Sequence, residues 1–274
     1  MFFYGYCNNA SSKFKSGVFM AQYNQYSGIR GSIDIAWVIA ECDRFFNSNQ
    51  PELLGKHLRK YRDLAKEYGD KRGELSLLNE LMGHYRMQCD QLRGREAVLD
   101  ALKLIDELDL APAASCGTIL INAATALTSF GEPEEALKLY KRAEACYRHS
   151  LAADDKLFAG LFNNMASAFL ALGKGEEACK LYYQALDILQ KNHELMDAAV
   201  TYVNLAQLAY QLDREDEIKG LLDEAMKLFD HPEAERNGYY AHTCCKCAPV
   251  FGFFCRETDE KALTKRAEEF YANS

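Results

Sequence analysis

Residues 164–188 read NMASAFLALGKGEEACKLYYQALDI, two helical patterns joined by a short turn. Leu161, Met165, Ala168 and Phe169 recur at the three- and four-residue spacing that lines one face of a helix. Gly173 follows the last periodic residue, where a helix end readily accepts positive φ. Glu176 and Glu177 then open a second helix, whose N-terminal partial positive charge favours carboxylates.

The stretch is one of a series. NAATALTSFGEPEEALKLYKRAEA from Asn122 lies 42 residues upstream and NLAQLAYQLDREDEIKGLLDEAMKL from Asn204 lies 40 downstream. An earlier copy starts at Asn79, a later one is centred on Lys246, and a faint unit covers residues 33–68. A fixed period of this length is the mark of stacked structural repeats. Small residues sit at fixed places in it. Ala124, Ala166 and Ala206 follow the Asn by two, Ala136 and Ala178 open the second helix, and Ala143, Ala185 and Ala225 come seven residues later. A large side chain there would hold neighbouring helices apart, so each helix pair is expected to pack on the next in the same way.

These residues resemble the tetratricopeptide repeat, with MASAF, GKGEEA, Tyr182 and Ala185-Leu186 carrying the likeness. It is strongest over residues 116–230, and the long period is similar to the kinesin light chain variety. The resemblance implies an all-α, right-handed α-α superhelix of five to six antiparallel helix pairs, with units at residues 31–70, 74–115, 116–156, 157–197, 198–238 and 239–274. In such a solenoid the first helix of each pair lines the concave face. It also implies a ligand site: in similar proteins an Asn ladder on that face holds the backbone of an extended peptide. Here the ladder is Asn79, Asn122, Asn164 and Asn204. An amide both donates and accepts, so it can pair with any peptide unit. The competing reading is an Asn bonded to its own or a neighbouring helix. Helical spacing adds Arg86, Thr125, Ser167 and Gln207 to the face, with Thr118 four residues before Asn122. Arg86 is its one cation among neutral residues, so the Lys/Arg pattern that clamps chaperone tails in a family subset is absent.

Charge and composition narrow the function further. Residues 1–150 carry 19 basic and 19 acidic residues, residues 151–274 carry 13 and 21, and the net −8 lies in the C-terminal half. Such a balance argues against nucleic acid, whose phosphates require clustered Lys and Arg. No apolar run reaches the ~18–20 residues of a membrane span, and the N-terminus lacks a signal-peptide pattern, so a cytoplasmic protein with free thiols is expected. Residues 1–30 stand apart as an aromatic, basic segment. They read either as a cap or as an arm that docks on this solenoid or joins two copies as a homodimer.

Chemistry-bearing clusters are sparse. His242, Cys244, Cys245, Cys247 and Cys255 have a metal-like look, but the repeat sets them on a first helix where Cys is a small core residue, and no metal or cofactor is expected. Pro249 and Gly252 predict a kinked or shortened helix there. His84 is a candidate for the groove, and Trp37, in the apolar run IAWVIA, for the core of the first helix pair. No phosphate loop or nucleophile–base pairing is present, so the expected function is a non-enzymatic scaffold for a protein or peptide partner. The alternative is a sensor that binds a short peptide and changes solenoid shape.

Overall fold

The computed structural model describes residues 31–47 and 50–272. The cap or docking arm expected at residues 1–30 lies outside the described residues. The described residues form twelve α-helices and no strand. They fall into two compact units that divide at Leu151.

The first unit holds α1 (Ile35–Asn47), α2 (Pro51–Glu67), α3 (Lys71–Met87), α4 (Gln91–Glu107), α5 (Ala114–Ser129) and α6 (Pro133–Ser150). The second holds α7 (Leu157–Ala171), α8 (Gly175–Lys191), α9 (Leu195–Gln211), α10 (Glu215–Phe229), α11 (Gly238–Phe253) and α12 (Glu257–Ala272). In each unit consecutive helices pack as antiparallel pairs. Helices α3 and α5 of the first unit, and α9 and α11 of the second, also touch as first helices of neighbouring repeats.

Local chemistry sets the helix starts. Pro51 and Pro133 occupy a first turn, where a missing N–H costs nothing. The carboxylate of Asp70 accepts from the Gly73 amide at 2.8 Å, and Asn237 caps Tyr240 at 3.0 Å. Six of the helix ends share one closure. The amides of Asp90, Glu132, Lys174, Glu194, Arg214 and Arg256 each donate, at 2.9 Å, to the carbonyl five residues back. The residue before each of these amides has positive φ. Glycine supplies it at Gly131 (83°) and Gly173 (71°), whereas Cys89, His193, Asp213 and Cys255 adopt it at 54–58°.

The repeated small residues are the packing contacts between helices. Ala124, Ala136 and Ala143 in the first unit, and Ala166, Ala178, Ala185, Ala206 and Ala225 in the second, are all fully buried. Gly117 shows how little room there is, because a Cβ there would stand 2.6 Å from the Tyr147 ring. Ion pairs about one repeat apart decorate the outer helices, such as Arg142 with Asp106 at 3.2 Å and Arg256 with Asp223 at 2.6 Å. Such exposed pairs contribute about 0–1 kcal/mol each, so apolar packing carries the stability.

One expectation is corrected, and one of two alternatives is removed. Trp37 is 47% exposed rather than core. Ile35, Val38 and Cys42 take the buried stripe of α1, which leaves Trp37 one step round the helix against the rings of Tyr61 and His57 at 5.5 and 5.8 Å. The α11 helix is not shortened: it runs 16 residues through Pro249, whose ring is exposed. Among the described residues no helix is long and apolar enough to cross a membrane.

Candidate partner-binding face

In the first unit the ladder is bonded to itself. Asn122 of α5 donates through Nδ2 to Asn79 Oδ1 of α3 at 2.8 Å, and Asn79 Nδ2 donates onward to Glu80 at 3.3 Å. Both amides are half-buried. Thr125 is buried, donating to the Ile121 carbonyl at 2.8 Å and meeting Tyr140 Oη at 3.0 Å. Thr118 likewise meets Tyr147 Oη at 3.0 Å. A helical Thr bonds the carbonyl one turn back, and that geometry carries both hydroxyls to tyrosines of α6. Burial pushes the Tyr140 phenol up to about 12.

Arg86 is half-buried at the end of α3 and makes no ion pair among the described residues. Loss of hydration pushes its guanidinium down to about 10, partly offset by the nearby Tyr140, so it remains a cation at neutral pH. His84 is buried, with Nε2 only 2.4 Å from where a Gly55 Cβ would stand, so it packs on α2 instead of lining a groove. Burial and then the Arg59 charge hold it below the usual histidine range.

The second unit arranges its asparagines differently. Asn164 Nδ2 donates to the Gly160 carbonyl of its own helix at 2.9 Å. A carbonyl only accepts, so this bond fixes which end of the amide is nitrogen. Among the described residues the other end, Oδ1, is then buried with no donor, on a side chain that is 8% exposed. Asn204 is also buried. The link between first helices falls instead on Asn163, which donates to Thr201 Oγ1 at 2.9 Å, and on Tyr239, which donates to Asp197. Ser167 donates to the Asn163 carbonyl at 3.3 Å, and Gln207 is half-buried.

Sequence reasoning missed Asn163, Thr201 and Tyr239. The one available signal was the second Asn beside Asn164. It also missed a meeting of Tyr210, Phe253 and Phe254 where α9 and α11 end, since rings in the last turn of a helix carry no periodic mark. The cysteines divide by helix face. Cys244 and Cys247 are buried in the core, and burial pushes the Cys244 thiol up to about 12, while Cys245 and Cys255 are exposed. Among the described residues no three His, Cys, Asp or Glu side chains gather as metal ligands do.

Comparison with known proteins agrees with this architecture. Models of the tetratricopeptide repeat match residues 117–155 and 157–231. No curated protein sequence matches the chain. Among solved structures it is similar to the nearly identical TPR-like repeats described as a kinesin light chain of Podosopora anserina. That similarity has 16% identity and a TM-score of 0.53, covering 73% of this chain and 95% of the other. It is also similar to the apo form of the quorum sensor NprR from B. thuringiensis, with 14% identity and a TM-score of 0.54 over 94% of this chain and 70% of the other. At such identities the likeness is one of fold. With the period, the buried alanines and the two matched segments, it shows an all-α repeat superhelix that carries tetratricopeptide repeats over residues 117–155 and 157–231.

Proposed function

We propose that the chain is a non-enzymatic scaffold that holds an extended protein or peptide segment against its first helices, with the Asn residues as backbone contacts. The observation that carries this reading is the orphaned Oδ1 of Asn164. A buried acceptor without a donor is destabilising by about 1–3 kcal/mol, and a peptide N–H laid against α7 would satisfy it once the Asn164 amide turns outward. Tetratricopeptide repeat proteins bind protein or peptide partners, and the geometry of Asn164 suits that role. Asn122, Gln207 and Arg86 extend the polar surface within their own units, Ser167 lies beside Asn164, and Asn204 is buried behind it. Thr125, buried and bonded to Tyr140, supports the face from behind.

The test is a display-library selection of peptides on the full chain, followed by affinity measurements on variants. Selected peptides should bind the Asn164→Ala variant about tenfold more weakly, the loss of one hydrogen bond to a buried group. Equal affinity for wild type and variant would remove the ladder from the binding site. The sensor alternative shares its fold with the quorum sensor, and a peptide-dependent change in small-angle scattering would favour it.

A further inference from the structure

Arg86 sits in the last turn of α3 with its side chain half-buried, and it forms neither an ion pair nor a hydrogen bond among the described residues. In the same unit Arg93 pairs with Asp90, Arg95 with Glu132 and Arg142 with Asp106. Residues 1–30, 48–49 and 273–274 contain no Asp or Glu, so every acidic side chain of the chain lies among the described residues, and none of them neutralises Arg86. A cation drawn part-way out of water without a counter-charge costs free energy that an arriving anion offsets.

The groups around it supply no anion. The nearby Tyr140 hydroxyl is already committed. Thr125 uses its one O–H on the Ile121 carbonyl at 2.8 Å, so Tyr140 is the donor in the 3.0 Å bond to Thr125 Oγ1. Burial pushes that phenol up to about 12, so it stays neutral and offers Arg86 a dipole in place of a charge. Space beside Arg86 is open. Gly83, three residues earlier, carries no side chain, and nothing stands within 4 Å of where a Cβ would be. Four residues before Gly83 is Asn79, bonded to Asn122 of α5. Asn79, Gly83 and Arg86 therefore share one face of α3. Asn79 and Arg86 are about 10 Å apart along the helix, the span of about three extended residues.

We propose that Arg86 binds the carboxylate of an Asp or Glu side chain in the held segment, about three residues from the peptide unit that meets Asn79 and Asn122. Such a contact rests on the peptide-scaffold reading and makes the occupant an extended acidic peptide. The guanidinium fork pairs with both oxygens of a planar carboxylate. One cation balances one carboxylate, whereas a phosphate brings a charge of about −1.5 to −2. Glu80, bonded to Asn79, would repel that excess.

A random peptide display library, selected in parallel on the full wild-type chain and on Arg86→Gln, tests it. The net charge of −8 disfavours acidic peptides in general. Wild-type binders should nonetheless be enriched in Asp or Glu at one position, and Arg86→Gln binders should not. In a wild-type binder synthesised with both ends blocked, changing that acid to its amide should weaken binding about tenfold to wild type and less than about twofold to Arg86→Gln. Circular dichroism checks that the variant folds. If it does not, Arg86→Lys, which keeps the charge and loses the fork, should show a weakening between those values. Equal weakening of wild type and of every folded variant overturns the proposal. Binders that need a free C-terminus, or that bind more tightly with phosphoserine in place of the acid, also overturn it. Binders that carry no acid yet lose affinity for Asn164→Ala overturn the carboxylate site and leave the scaffold standing, whereas a library without binders removes both.

Discussion

In the first unit, the ladder asparagines of adjacent first helices bond to each other. In the second, Asn164 turns back to its own helix and its carbonyl oxygen has no donor among the described residues. The first unit is electroneutral in sequence and the second carries the net −8. The helix pairs and buried alanines are nonetheless the same in both. Shape in this fold therefore resides in the small residues, and polar residues on the first helices vary without disturbing it. A recurring Asn in this fold marks a position, not a bond.

The largest effect should come from the apolar core. Phe229→Ala removes a fully buried ring of the second unit and should lower stability by about 3–5 kcal/mol. Each repeat contacts only its neighbours, so hydrogen exchange should show the loss in residues 195–272 while α3 and α4 keep their protection. An equal loss in both units would end the division drawn between them. Ala185→Leu, at a fully buried helix contact, should cost about 1–3 kcal/mol by overpacking, read as a fall in Tm.

The ladder contrast predicts opposite signs. Asn122→Leu strands Asn79 Oδ1 and should destabilise by about 1 kcal/mol, whereas Asn164→Leu removes an orphaned acceptor and should be neutral or stabilising in urea titrations. Like signs would show that the two asparagines do the same structural work.

Acid should separate the units too. His84 is buried neutral with a depressed pKa, so below the ordinary histidine range the unfolded chain takes up a proton that the native first unit refuses. The unfolded state binding more protons means stability falls as pH drops from about 6.5 toward the native value. His84→Gln should flatten that decline for α2–α4, followed by hydrogen exchange; an unchanged slope would assign the decline to other groups. The smallest effect belongs to a turn: His193→Gly relieves a φ of 55° and should stabilise by about 0.5–1 kcal/mol, seen as a small rise in Tm.

Periodicity, turn glycines and small residues were enough to read the helix pairs and the packing seams, because they are local or repeat at a fixed interval. The α2–α12 helices and every predicted alanine contact were legible in this way. Trp37 was not, since an apolar run does not say which of its residues face inward. Nor was the fate of Thr125, which a helical wheel sets on the face beside Asn122 but which its bond to Tyr140 holds inside.

The sequence by itself determined that this chain is a stack of helix pairs whose first helices present asparagines at one register, because side-chain volume and backbone propensity act residue by residue. Only the tertiary structure decided which asparagine is bonded to a neighbour, which is left with a buried acceptor, and which rings meet at the ends of α9 and α11. Those outcomes depend on angstrom-scale distances between helices about 40 residues apart, and hydrogen bonds and ring contacts are short-ranged enough for such distances to settle them.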